Sequence, residues 1–177
     1  MAWADETGSE LDRVMAGLRA VKSSAAHFTE RKEVAMLTRP VESAGSLRYT
    51  APDRLEMITR EPAPETMLVS GGTLSGTRGD GDRYHVALDE HPEIATLVEA
   101  VRSTLSGNLP VLRRYYEVGF AGTEAGGWQL DLHPLGDAVR DRIVEIRIAG
   151  IAARLNTVDV LEADGDRSAM TITPDGP

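Results

Sequence analysis

The sequence predicts an α+β domain built on an antiparallel sheet, and three observations carry that expectation. Short runs of alternating apolar and polar residues recur along most of the chain, as half-buried strands require. Only two long stretches show helical spacing, and they do not alternate regularly with strands as parallel βαβ units would. Glycine- and aspartate-rich turns separate successive runs, the chemistry of tight hairpins. With 177 residues the chain is long enough for one core and too short for two.

Residues 1–8 read as an N-terminal tail. Ala2-Trp3-Ala4 has the small-x-small form that precedes a signal-peptidase cut, with only Met1 ahead of it. The tail therefore reads either as the remnant of such a junction or as a plain unstructured leader. Residues 9–177 read as a single domain. Ser9 with Asp12 resembles a capping box, and Leu11, Val14, Met15, Leu18 and Val21 then recur at helical spacing, giving one apolar face that ends near Ser23-Ser24. Residues 27–38 are strand-like, with Phe28, Val34 and Met36 on one side. Glu30 and Lys32 share that side and imply partial exposure. Leu47 and Tyr49, then Leu55 and Met57 after the Ala51-Pro52-Asp53 turn, read as a hairpin or meander.

Met67-Leu68-Val69 runs into Gly71-Gly72 and leaves through Thr73-Leu74, a second hairpin. Gly79-Asp80-Gly81-Asp82 turns the chain into Tyr84, Val86 and Leu88. Pro92 suits the first turn of a helix, and Ile94, Leu97, Val98, Val101 and Leu105 form its apolar face up to Gly107. A short helical turn over residues 110–114 follows. Three strands come next, marked by Tyr116, Val118 and Phe120, by Trp128, Leu130 and Leu132, and by Val144, Ile146 and Ile148, with a short helix over 135–142 before the last. Residues 155–163 and 167–173 make a final hairpin across Asp164-Gly165-Asp166.

Composition excludes several function classes. There are 28 acidic and 19 basic side chains, net −9, and the arginines are scattered between carboxylates. A nucleic-acid partner is not expected. No apolar run approaches the roughly 20 residues of a transmembrane segment. Zero cysteines remove disulfides, thiolate nucleophiles and cysteine metal sites together. His27, His85, His91 and His133 stand apart from one another, without metal-type spacing. Glu162, Asp164 and Asp166 lack the glycine and closing glutamate of a calcium loop, so a turn role is expected for them. Neither Ser70 nor Ser75 stands in a Gly-x-Ser-x-Gly elbow. No metal, no cofactor and no catalytic residue is nominated, and the protein is not expected to be an enzyme. Aromatics make only 5% of the chain, and the methionines after Met1 all fall in apolar-patterned segments, where a flexible thioether fills irregular space. On pattern alone, such a sheet either packs shut against its helices or leaves a space beneath them.

Several segments resemble a known family in order and spacing. Leu18-x-x-Val21-x-Ser23 leads into Ala26-x-Phe28-x-Glu30. Gly45-x-Leu47, Pro52, Leu55, Pro62 and Val69-Ser70-Gly71-Gly72 follow, and Leu161-Glu162-Ala163-Asp164-Gly165-Asp166-Arg167-Ser168 with Ile172 comes last. Together they resemble the periplasmic lipoprotein carrier LolA and its relatives. The resemblance implies an incomplete, half antiparallel β-barrel, a strongly curved sheet with a helical lid over its concave apolar face. It also implies a periplasmic, non-catalytic shuttle that shields the acyl chains of a lipoprotein between the membranes. Its partners would be that lipidated cargo, a transient inner-membrane donor and an outer-membrane acceptor.

On that resemblance the cavity lining would be Met15 and Leu18 from the first helix, Met36, Leu47, Tyr49, Leu55, Met57, Met67 and Val69 from strands, and Leu97, Val101 and Leu105 from the second helix. Ile146 and Ile148 would complete the floor. The sequence departs from well-known members at three points: Ala51 stands where they carry an arginine that helps hold the lid closed, Leu55 where they carry a phenylalanine, and their tryptophan-rich lining is missing. These departures keep two further readings open, a carrier of another amphiphile such as a lipid or polyketide-like chain, and a lipid-sensing or interaction module of the same fold.

Overall fold

The first apolar stripe anchors one half of the molecule. In the computed structural model, which describes residues 2–175 with side chains from Thr7 onward, Leu11, Val14, Met15 and Leu18 are all buried along α1 (Ala2–Ala20). Each such side chain contributes roughly 1.5–3 kcal/mol on leaving water. The helix begins at Ala2 rather than at Ser9, so residues 2–8, expected as a tail, continue it N-terminally with no proline to interrupt them. It also ends earlier than expected, and Ser23-Ser24 open a strand instead.

Alternation then produces eleven strands among the described residues. They are β1 (Ser23–Glu33), β2 (Val41–Thr50), β3 (Arg54–Glu61), β4 (Glu65–Ser70), β5 (Thr73–Arg78), β6 (Asp82–Ala87), β7 (Tyr116–Thr123), β8 (Gly127–Pro134), β9 (Ile143–Ile151), β10 (Arg154–Glu162) and β11 (Arg167–Pro174). All pairings are antiparallel, and the order is β6-β5-β4-β3-β2-β1-β11-β10-β9-β8-β7. Only the β1–β11 pair joins strands distant in sequence, so the first and last strands meet at the centre and β6 and β7 are the free edges.

The chain crosses from one free edge to the other through helices. A 3₁₀ turn at Leu88–Glu90, α2 (Pro92–Leu105) and α3 (Leu109–Tyr115) link β6 to β7, and α4 (Asp137–Arg140) sits between β8 and β9. The barrel is therefore incomplete, and the edge-to-edge connection lies over its concave face. Gly107 makes the α2–α3 junction possible. Its φ is +62°, and a Cβ there would lie 2.2 Å from the carbonyl oxygen of Met15 on α1.

Two apolar clusters fill the concave face. The larger joins α1, α3 and the inward residues of β7 to β10, including Trp128, Leu130, Leu132, Ile146, Ile148, Leu155 and Val158. The smaller joins the N-terminal part of α2 to β4 and β5 through Val69, Leu74, Leu88 and Ala95. Strands β1 and β2, between them, supply no residue to either cluster.

Candidate functional site

The gap between the clusters follows from side-chain size. On the inward face of β1, Ser24 stands opposite Tyr49 and Ala26 opposite Leu47. Short side chains there leave volume that a close-packed core would fill. A cavity of about 660 Å³ occupies it, lined mostly by apolar residues: Val21, Ala26, Leu47, Leu55, Val101, Leu105, Leu155 and Ile172. Ser23, Ser24, Thr50, Arg48, Arg154 and Asp175 add polar and charged groups to its walls. A second recess of about 270 Å³ lies farther along the same strands, lined by Met57 and Met67 together with Glu30, Ser43, Thr59, Pro62, Ala63 and Glu65. Leu55 and Met57 are successive inward residues of β3, so that strand serves both.

The structure divides the expected lining into groups. It brings Leu47, Tyr49, Leu55, Val101 and Leu105 to the main cavity, and Met57 and Met67 to the second recess. Met15, Leu18, Ile146 and Ile148 are wholly buried members of the larger cluster, where they are core rather than cavity wall. Val69 is likewise core, in the smaller cluster. Leu97 is 40% exposed and lines a separate recess, together with Ile94, Val139 and Ile143, instead of the main cavity.

Met36 is a correction. It is 93% exposed and lies in the turn between β1 and β2. Strand β1 stops at Glu33 because the Asp166 carboxylate takes the N–H of Ala35 at 2.9 Å, and the N–H of Leu37 donates to the carbonyl of Val34. Sequence reasoning missed Ser24, Ala26, Leu155 and Ile172. The visible signal for the first two was the run of small residues at 23–26, which only makes sense as wall once it is placed in a strand.

Polar contacts seat α2 over the cavity. Arg102 and Glu99, with side chains 12% and 9% exposed, form an ion pair, and the Ser103 hydroxyl also donates to Glu99. The Arg102 guanidinium donates to the carbonyl of Gly71 at 2.5 Å and lies 3.5 Å from that of Asp53. It thus reaches the β4–β5 and β2–β3 turns, beside Ala51. The Tyr116 hydroxyl, at the start of β7, donates to the carbonyl of Thr96 on α2 at 2.6 Å. Burial, with the Glu99 charge nearby, pushes the Tyr116 pKa up. Tyr49 donates to the carbonyl of Pro52, and burial followed by the Asp53 charge raises its pKa as well. Both phenols stay neutral in the physiological range.

The other chemistry-bearing residues lie elsewhere. Glu162, Asp164 and Asp166 place carboxylate oxygens within 4.8 Å of one another. Each has a protein partner: Lys32 for Glu162, the Asp166 N–H for Asp164, and the Ala35 N–H for Asp166. The cluster braces two turns. His27, His85 and His133 lie on β1, β6 and β8, and His91 precedes α2.

A family model described as outer membrane lipoprotein carrier protein LolA-like matches residues 4–173. No curated protein matches the sequence. Among solved structures, the chain is similar to the LolA superfamily protein NE2245 from Nitrosomonas europaea, with a TM-score of 0.52 and 10% identity over 94% of this chain and 91% of that one. It is also similar to MucB (TM-score 0.48, 13% identity, 96% of this chain and 57% of that one). A DUF1329 family protein from Desulfovibrio piger gives a TM-score of 0.48 and 6% identity over 96% of this chain and 93% of that one. A match running from residue 4 to residue 173, on a fold shared with a LolA superfamily structure, means that the chain belongs to the LolA-like family of outer membrane lipoprotein carrier proteins.

Proposed function

We propose that the protein is a periplasmic carrier that shelters the acyl chains of a lipoprotein beneath α2 and moves it from an inner-membrane donor to an outer-membrane acceptor. One observation carries this reading: an apolar cavity of about 660 Å³ lies where the edge-to-edge helical connection meets the central strands. Burying hydrocarbon is worth about 0.8 kcal/mol per methylene, so ten sheltered methylenes would contribute about 8 kcal/mol. That is enough to hold a chain in transit, and release then requires α2 to lift or an acceptor to compete. The reading assigns no chemistry, and the cargo leaves as it entered.

A second reading, carriage of a free lipid or polyketide-like amphiphile, is favoured by size. The cavity lies within the roughly 300–1,000 Å³ of sites that take one small ligand, which suits one chain better than several. Native mass spectrometry with organic extraction, on protein purified from the envelope of its own host, separates the two. A stoichiometric lipoprotein supports the first, and a free amphiphile moves the second into its place. An empty protein that also refuses a hydrophobic probe would mean that the helices close on the sheet, and the carrier reading would be abandoned.

A further inference from the structure

We propose that the turn between β1 and β2, residues 34–40, together with Val41 at the start of β2, is the surface with which this protein touches a phospholipid bilayer. Three of its side chains are exposed apolar groups: Met36 at 93%, Leu37 at 53% and Val41 at 40%. The other large exposed apolar residues, Leu97, Leu135, Val144 and Ile151, are dispersed over α2, the β8–α4 link and β9. Scattered exposure of that kind is ordinary, whereas a cluster at one projecting turn marks an interaction site.

The exposure is imposed by the fold. Asp166, itself buried, spends its carboxylate on the Ala35 N–H, and the Val34–Leu37 backbone hydrogen bond closes the turn. These contacts hold Met36 and Leu37 outward and keep them from folding back on the sheet.

Charge identifies the partner. Arg39 is the sole charged residue within 34–41, and it has no ionic partner among the described residues. The neighbouring Arg31 and Lys32 are matched by Glu33, Glu42 and Glu162, and Asp164 and Asp166 add further carboxylates beside the turn, so Arg39 is the turn's own cation, set against acidic flanks. A guanidinium beside exposed methionine and leucine side chains fits the boundary of a bilayer, where phosphate lies directly above acyl chains. Every phospholipid offers that phosphate. The net charge of −9 argues against reliance on a strongly anionic surface.

The position also serves delivery, and this part alone rests on the carrier reading. Glu30 and Ser43, paired on the strands that flank the turn, line the recess that holds Met57 and Met67. A few apolar side chains bind more weakly than a single myristoyl anchor, which is already reversible, so the contact is brief, as a shuttle needs.

The absence of cysteine provides the test. Met36→Cys, labelled with an environment-sensitive fluorophore, is mixed with vesicles of phosphatidylethanolamine and phosphatidylglycerol, beside a Glu117→Cys control on the outer face of β7. A blue shift at position 36 and none at 117 is expected. Vesicle flotation of the unlabelled Met36→Glu/Leu37→Glu variant should fall about tenfold, while its cavity still takes up a hydrophobic probe. No shift at 36, equal shifts at both positions, or undiminished flotation would overturn the proposal. A lipid-independent shift that follows protein concentration would assign the turn to self-association and overturn it too, as would loss of probe uptake in the double variant, which would put the turn in the cargo site. A wild-type protein that binds vesicles through the turn yet takes up no probe would sink the carrier reading and leave the bilayer contact standing.

Discussion

Arg102 on α2 donates to the backbone carbonyl of Gly71 at 2.5 Å while its guanidinium neutralises the buried Glu99 carboxylate. One side chain therefore ties the helix over the cavity to the β4–β5 turn and also stabilises the charge beside it. Removing it as Arg102→Ala leaves Glu99 buried with the Ser103 hydroxyl as its remaining partner. Breaking a buried pair in this way costs about 3–5 kcal/mol, and urea unfolding should show a loss near the lower end. Arg102→Ala/Glu99→Gln should recover part of it, because the stranded charge is gone. If the double variant is no more stable than the single one, the penalty comes from lost packing instead of charge. Probe uptake should quicken in both variants, since α2 is released from the turn.

Gly45 faces Phe28 across the β1–β2 pair and sits at an irregularity in the β2–β3 register. A Cβ at this position would lie 1.9 Å from the carbonyl oxygen of Ile58 and 2.9 Å from the Phe28 ring. The obstacle is backbone, so Gly45→Ala has to push β2 and β3 apart. A loss at or above the upper end of the roughly 1–3 kcal/mol seen for overpacking is expected. Gly72→Ala, with nothing within 4 Å of its Cβ position, should leave the thermal midpoint unchanged. Equal midpoints for the two variants would refute the crowding argument.

The antiparallel sheet was legible because its signal is local. Alternation marked β2, β3 and β6 to β9 at their apolar residues, Gly71-Gly72 marked the β4–β5 hairpin, and Asp164-Gly165-Asp166 marked the last one. The family resemblance, carried by order and spacing, is borne out by the match over residues 4–173. Long-range choices were less legible. Met36 continues the apolar alternation of Phe28 and Val34, and nothing nearby in sequence tells that Asp166, from the far end of the chain, ends the strand at that point. Met15 and Ile146 look like wall or core equally well, because an inward side chain becomes wall only where the opposing layer is absent. The opposing layer thins at Ser24 and Ala26, whose small size reads as a helix end until β1 is paired with β2 and β11.

On the outer face, Asp131 of β8 accepts a hydrogen bond from Arg147 of β9 at 2.8 Å and one from Gln129 at 3.0 Å. Partial burial works to raise its pKa, but the two hydrogen bonds and the Arg147 charge outweigh it and hold the carboxyl below its ordinary value. A depressed folded-state pKa adds stability that is fully present above the unfolded value of about 3.9 and is lost as pH falls through the folded one. Asp131→Asn should lower the urea midpoint slightly at neutral pH, since exposed pairs contribute little, and make no difference near pH 2. A difference that persists undiminished in acid would assign the effect to packing.

The cavity makes a prediction whose sign separates a container from a closed core. Ala26 faces Leu47 on one side and Pro174 on the other, and it lines the empty volume directly. If that volume exists to hold cargo, Ala26→Leu has room to enter it. Its added methylenes leave water without displacing a neighbour, so stability should hold or rise by up to about 1 kcal/mol, while the affinity for a hydrophobic probe falls several-fold. Leu55→Glu acts differently, placing a carboxylate in an apolar wall where its charge has to be solvated. It should abolish uptake, and the loss should ease at acid pH once the carboxyl is protonated. In a closed core the outcomes reverse. Ala26→Leu would overpack it at a cost of about 1–3 kcal/mol, and with no probe bound by the wild type there would be no affinity to lose. Measuring the unfolding free energy and the probe titration on the same Ala26→Leu sample decides between them, because the container requires stability to hold or rise while affinity falls, and the closed core requires stability to fall.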